Sequence, residues 1–425
     1  MSFVPGISHK LKCLIEHNIM ASPLEENILE KDFRILTSLG SGEYGEVKLA
    51  CHLPTHTQVA VKVLEKRKNS LADINTEVEI LQSVEHRNIV NFFHVIDTSS
   101  TTYLIMEYVS GKDLENFLRD RDFLKEDEAR PIFQQVVSGV HFLHQKRIAH
   151  CDIKLENILI DGAGNVKLCD FGMARQLAEG QMLEEFWGSL LYLAPEILAG
   201  KPYDGLEGDM WSLGVLLYVL VTGQFPYEET TDEGMYRVIT TTKYPIPYHL
   251  SKPCIILIEQ LLMVPNKQRI TICQLQESQW LGNIKEHAAP ATKEFLPRVM
   301  ETMCTMGYTH EEIVSSLKHK QPNNLMATFN ILKYKLSCGL TQGFRDHNGV
   351  CMEQENSALN AWKILFFISF QALSDLDLEV LTQGFRAHNG VGMELENCAF
   401  NIWEFLFFIS FQTLSGLDPK DIGPS

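Results

Sequence analysis

The chain has 425 residues, enough for two or three domains at roughly 150 residues each. With 45% apolar and 21% charged residues, 27 Gly and 16 Pro, the composition is that of a globular protein and excludes wholesale disorder, collagen and a simple coiled coil. Lys plus Arg is 37 and Asp plus Glu is 54, and the resulting −17 disfavours nucleic acid or an anionic membrane as the main partner and suits basic ones.

Residues 1–32 read as a leader without clear periodicity. From Phe33 short β-type runs follow, Phe33–Leu39, Val47–Ala50 and Val59–Leu64, then a helix over Leu71–Val84 and a strand over Tyr103–Tyr108. Beyond Asp113 the pattern turns mostly helical up to Leu281, and a linker follows over 282–294. Residues 295–336 hold three candidate helices, with Met306-Gly307-Tyr308 ahead of Thr309 and Glu312, which stand at capping-box spacing.

The tail, 338–425, contains a tandem repeat: 340–377 recurs at 381–418 with 28 identities in 38 positions. It carries four basic and eleven acidic residues, −7 of the −17, and ten of the 23 Phe. Two units are too few for a stable solenoid, so a duplication is the better account. A weakly selected tail, a protein-docking pair and a membrane contact all remain open for it. Ten Cys without a CxxC pair read as a reducing compartment rather than a disulfide or zinc framework, and neither a signal peptide nor a transmembrane segment is expected.

Chemistry concentrates in 33–281. Leu39-Gly40-Ser41-Gly42-Glu43-Tyr44-Gly45-Glu46-Val47 has the GxGxxGxV spacing that lets backbone approach phosphate oxygens, and it lies between two strands rather than opening a helix. Val59-Ala60-Val61-Lys62 sets one lysine in an apolar strand, where it must meet anions, and Glu77 is placed to pair with it. His150-Cys151-Asp152-Ile153-Lys154-Leu155-Glu156-Asn157, then Asp170-Phe171-Gly172 and Ala194-Pro195-Glu196, complete the pattern. Phosphoryl transfer to a hydroxyl needs a carboxylate for the proton, a cation on the γ-phosphate and oxygen ligands for Mg²⁺. Asp152, Lys154, and Asn157 with Asp170 supply them.

These motifs resemble the eukaryotic protein kinase family, over about Phe33 to Leu281. The resemblance implies an α+β fold, with a small β-rich N-lobe and a large helical C-lobe, and use of ATP and Mg²⁺. It implies an ATP site formed by Leu39, Gly40, Gly42, Gly45, Val47, Ala60, Lys62, Glu77, the gatekeeper Met106 and the hinge Glu107 to Val109. It further implies that Asp209 anchors the catalytic loop, that Arg269 pairs with Glu196, and that Leu81, His150 and Phe171 stack. The Lys-Leu-Glu-Asn run at 154–157 with Gly188-Ser189 resembles the serine/threonine type, and Asp113 and Glu156 fall where basophilic members read Arg or Lys.

The order of kinase and MGY-bearing segment resembles the microtubule-affinity-regulating and AMP-activated-like group, whose kinase domain precedes a three-helix ubiquitin-associated (UBA) domain. Within it the sperm motility kinases are the nearest match, which implies a cytoplasmic protein extending to the sperm flagellum. The UBA-like segment is expected to contact the kinase lobes, with weak ubiquitin binding as the alternative. Two positions depart from the pattern: Cys151 stands where the family has Arg, and Glu185 where relatives phosphorylate Thr. Both members of the phosphate switch are missing together, which implies either a constitutively ordered loop or a weak enzyme. A catalytically weak scaffold that binds partners is the rival to an active kinase, and buried, inert thiols are expected at Cys151 and Cys169.

Overall fold

The computed structural model describes residues 29–42, 45–282, 292–319 and 323–338. The chain divides into two units at Gly349, and the second unit, with most of the repeat, lies outside the described residues. Five antiparallel strands form the N-terminal sheet in the order β1-β2-β3-β5-β4: β1 Phe33–Ser41, β2 Glu46–His52, β3 Thr57–Glu65, β4 Phe92–Asp97 and β5 Thr101–Glu107. Strands β1, β2 and β3 outrun the expected runs by one or two residues because polar ends such as Glu65 still pair across the ladder. Strand β5 starts two residues early at Thr101 and ends before Tyr108, and β4 is a strand absent from the expected runs. Helix α1, Leu71–Ser83, starts where the Ser70 side chain accepts the Ala72 N–H at 3.2 Å. Its buried positions, Ile74, Glu77, Ile80 and Leu81, follow helical spacing. Only Glu77 among them is ionisable.

The larger lobe is helical. After β6 (Gly111–Asp113) come α2 Leu114–Leu118 and α3 Glu126–Gln145. Then follow β7 Ile148–Ala149, β8 Ile158–Asp161, β9 Val166–Leu168, β10 Arg175–Gln176, and the helices α4 Pro195–Leu198 and α5 Gly205–Thr222. Helix α5 is apolar on nearly every side. By length and composition it could cross a membrane, but 83% of it is buried as the lobe's core. Three helices complete the lobe: α6 Asp232–Thr241, α7 Lys252–Leu261 and α8 Ile272–Gln276. Buried Arg269 clamps this base to α4 by a two-pronged bond to Glu196, at 2.5 and 3.0 Å.

Three more helices follow, α9 Thr292–Thr305, α10 His310–His319 and α11 Asn324–Ser337. The turn into α10 is closed reciprocally: Thr309 N–H donates to Glu312 at 2.9 Å and Glu312 N–H to Thr309 Oγ1 at 3.3 Å. Helix α11 lies on the N-terminal sheet, where Ala327 and Ile331 share one apolar cluster with Phe33, Val59, Phe93 and Ile105. Asn330 donates to the Phe93 carbonyl at 2.8 Å, Lys333 pairs with Glu85 at 2.9 Å, and Asn324 donates to Asp32.

Candidate active site

Strand register assembles the upper wall. Gly40 pairs with Val47, Val47 with Lys62, Ala60 with Met106 and Val59 with Glu107, so glycine loop, lysine and hinge sit on successive strands. A Cβ on Gly40 or Gly42 would meet nothing within 4 Å, which leaves the loop's inner face open to a ligand. At Gly45 it would lie 2.2 Å from the Val63 carbonyl, so that glycine serves close strand packing. Leu39 is exposed, Val47 half-buried, and Met106 and Val109 pack on the edge of the core. Among the described residues no hydrogen bond uses the Val109 backbone, which leaves its N–H and C=O for a planar ligand.

Beneath this wall Lys62 Nζ donates to Glu77 at 2.7 Å and to Asp170 at 2.8 Å. Burial alone would pull the ammonium down. Glu77 and Asp170 outweigh it and hold Lys62 above its ordinary value. The two carboxylates share that charge unequally. Burial pushes Glu77 up, whereas at Asp170 the pull of Lys62 outweighs burial and holds the carboxyl low.

The second cluster surrounds Asp152. Asn157 Nδ2 donates to its Oδ2 at 2.8 Å and to its carbonyl at 2.8 Å. Lys154 Nζ reaches Oδ2 at 2.8 Å and Ser189 Oγ reaches Oδ1 at 3.1 Å. Lys154 also donates to Ser189 Oγ at 2.9 Å. The loop is anchored from below by Asp209 at the start of α5, which accepts His150 N–H and Cys151 N–H, each at 2.9 Å, and lies 2.8 Å from His144 Nε2. That third partner had no signal in the sequence. His150 and Phe171 meet edge to face at 5.0 Å, with Leu81 in the same buried core.

Mg²⁺ takes few protein ligands and shares the rest with phosphates and water. Asn157 spends its amide nitrogen on Asp152, and Asp170 spends Oδ1 on Lys62 and the Gly172 N–H. Among the described bonds none uses Asn157 Oδ1 or Asp170 Oδ2, so one amide oxygen and one carboxylate oxygen fit such a cation.

Three expected residues have surroundings that the sequence did not show. Asp113 caps α2, where its oxygens take the Asn116 N–H at 2.7 Å and Asn116 Nδ2 at 2.5 Å, one donor on each. Glu156 is exposed. Burial of its carboxyl and nearby Glu115 and Asp152 push it up, against the pull of Lys154. The Glu107 side chain turns away from the cleft into a buried ring of donors: Asn91 N–H at 3.0 Å, Asn91 Nδ2 at 2.7 Å, Lys167 at 2.8 Å and the Tyr334 hydroxyl at 2.8 Å.

Burial, with Asp209 adding to it, pushes the Cys151 thiol well above its ordinary value. Cys169 is raised likewise, so neither is a reactive thiolate. Glu185 is exposed, its carbonyl accepts the Tyr203 hydroxyl at 3.0 Å, and no ion pair among the described residues uses its carboxylate. A cavity of ≈ 440 Å³ lies elsewhere, at the base of the lobe beside Pro253, Ile256, Gln274 and Trp280, remote from these groups.

A two-lobed fold with this lysine–glutamate pair and this aspartate–asparagine loop defines a protein kinase. The protein kinase domain model matches residues 33–281, and the chain belongs to that family. Two mouse proteins illustrate its similarity to known members. The one named "Putative sperm motility kinase W" is 38% identical over 321 residues, 76% of this chain and 64% of its own length. Sperm motility kinase Z is 37% identical over 322 residues, 75% of this chain and 65% of its own length. The alignments thus span less than two thirds of those relatives.

Proposed function

We propose that the chain is an active serine/threonine protein kinase that transfers the γ-phosphoryl group of ATP to hydroxyls of protein substrates. The observation that carries this is the ring around Asp152: a scaffold has no use for a carboxylate held by Asn157, Lys154 and Ser189 at hydrogen-bond distance. In the reaction a substrate hydroxyl displaces Ser189 from Asp152, its oxygen bonds to the γ-phosphorus as the bridge to the β-phosphate breaks, and its proton passes to Asp152. Lys154 offsets charge on the transferred group. Lys62, fixed by Glu77, holds the other phosphates, and the open faces of Gly40 and Gly42 admit them. Asn157 and Asp170 would hold Mg²⁺, which supplies charge neutralisation on the phosphate oxygens.

Exposed Glu156 favours a basic residue near the phosphosite, in keeping with the chain's net −17. Asp113, which caps α2 with one donor on each oxygen and keeps further acceptor positions, is read as sharing that role. With Cys151 uncharged, the loop is taken to work without phosphorylation. The helices over 292–337 are read as a UBA-like domain whose role is to brace the N-terminal sheet rather than to bind ubiquitin. The Tyr334–Glu107 bond and the shared apolar cluster support that role. The names of the two mouse relatives suggest sperm motility as the setting and the cytoplasm, including the flagellum, as the place.

Incorporation of labelled γ-phosphate into a basic Ser peptide by the full chain tests the proposal. Asp152→Asn is expected to lower the rate about 10³-fold with little effect on melting. A wild-type rate no higher than that of the variant favours the scaffold.

A further inference from the structure

Arg175 is left over from this chemistry. It opens β10, paired with β7, which leads straight into His150 and Cys151. Its Nη2 donates to Asp73 at 2.8 Å, its Nη1 to the Ala174 carbonyl at 3.0 Å, and its guanidinium carbon lies 4.5 Å from the centre of the Trp187 ring. The indole nitrogen of Trp187 is buried and makes no hydrogen bond among the described residues. The ring is therefore seated by its face on the guanidinium, not by its polar edge.

Asp73 lies in the first turn of α1, four residues before Glu77, so the two acids share one helix face a turn apart. Lys62 grips one and Arg175 the other. A helix held by one ion pair can pivot about it, and a second a turn away removes that freedom. In kinases switched by loop phosphorylation, a phosphate supplies the anion that gathers the cations around the loop. This chain has no cation at Cys151 and a solvated carboxylate at Glu185.

We propose that Asp73, Arg175 and Trp187 form a phosphate-free latch. Helix α1 supplies the anion, the activation segment that carries Glu185 and Trp187 supplies an aromatic face, and Arg175 is the positioning residue that joins them and keeps Glu77 on Lys62. The latch rests on reading the chain as a kinase, but its physical content, the coupling of α1 to residues 182–189, exists without turnover.

Amide hydrogen exchange on the full chain reads that coupling directly. Arg175→Ala is expected to speed exchange about tenfold in both 71–83 and 182–189. Asp73→Ala, at a half-exposed site that does not endanger folding, should do the same, and Arg175→Lys, which keeps the charge, should do less. In the peptide assay Asp73→Ala should lower kcat while KM for the peptide stays within about twofold, because the substrate surface is untouched. Faster exchange confined to the first turn of α1 is what loss of an acid near a helix N-terminus alone gives, and it overturns the latch. Unchanged exchange overturns it too. If exchange behaves as expected but wild type transfers no phosphate, the reading as an active enzyme fails and the latch stands.

Discussion

Asp152 and Glu107 are both buried acids ringed by donors, but only the ring around Asp152 borders the cleft. Asp152 and Glu107 are 7% and 5% exposed. The donors on Asp152 include Ser189 and Lys154, both partly exposed and on segments that border the cleft, so a substrate hydroxyl can take the place of Ser189. The donors on Glu107 come from Asn91, Lys167 and Tyr334, which close over it from the strand side and from α11. On the proposed reading, similar bonding serves proton transfer in one place and the joining of helix to sheet in the other. Access, not bond strength, separates them.

Neutralising Glu107 should have the largest effect on stability. Glu107→Gln should cost about 2 kcal/mol of stability, read by denaturant unfolding, because Lys167 loses its buried partner. It should leave the peptide rate within a few-fold, the reverse of Asp152→Asn. If Glu107→Gln abolished transfer without lowering stability, the division into an open and a closed ring would be wrong.

Acid should sharpen the contrast on the same sheet. His52 and His94, on β2 and β4, are buried and pulled down to about 4, mainly by burial. Unfolded, they titrate near the ordinary 6.5, so between about 6.5 and 4 the unfolded chain binds more protons and stability falls as pH falls. Each contributes up to about 1.4 kcal/mol per pH unit within that window. Melting temperature should therefore drop between pH 6.5 and 4.5, and His94→Gln should flatten the drop. A pH-independent melting temperature would contradict the burial argument.

Smaller effects follow at the rim. Tyr334→Phe removes one of the donors to Glu107 and should cost about 1 kcal/mol, a few degrees in melting temperature. Glu185→Ala should change neither stability nor rate measurably. A tenfold loss of activity there would mean that the exposed carboxylate does the work of the missing phosphate.

Much of the catalytic centre was legible because its parts lie in short segments whose residue types have few other uses. A lysine in an apolar strand needs an anion, and Asp152 with Asn157 five residues on forms one loop. The rest depends on pairings that local pattern does not encode. Tyr334 and Glu107 are 227 positions apart, Arg175 and Asp73 are 102 apart, and nothing in either neighbourhood points to the other. Asp113 shows one residue type with two uses: an acid ahead of a helix suits capping it as well as binding a cation, and the structure shows the cap. The repeat remains a feature of sequence outside the described residues.

If the chain works without a phosphate on its activation segment, phosphatase-treated full chain must still turn over substrate. Treated wild type is expected to phosphorylate a basic Ser peptide, Asp152→Asn to do so about 10³-fold more slowly, and an upstream activating kinase to leave the wild-type rate unchanged. A tenfold rise in turnover through a phosphosite in 183–192 would contradict it.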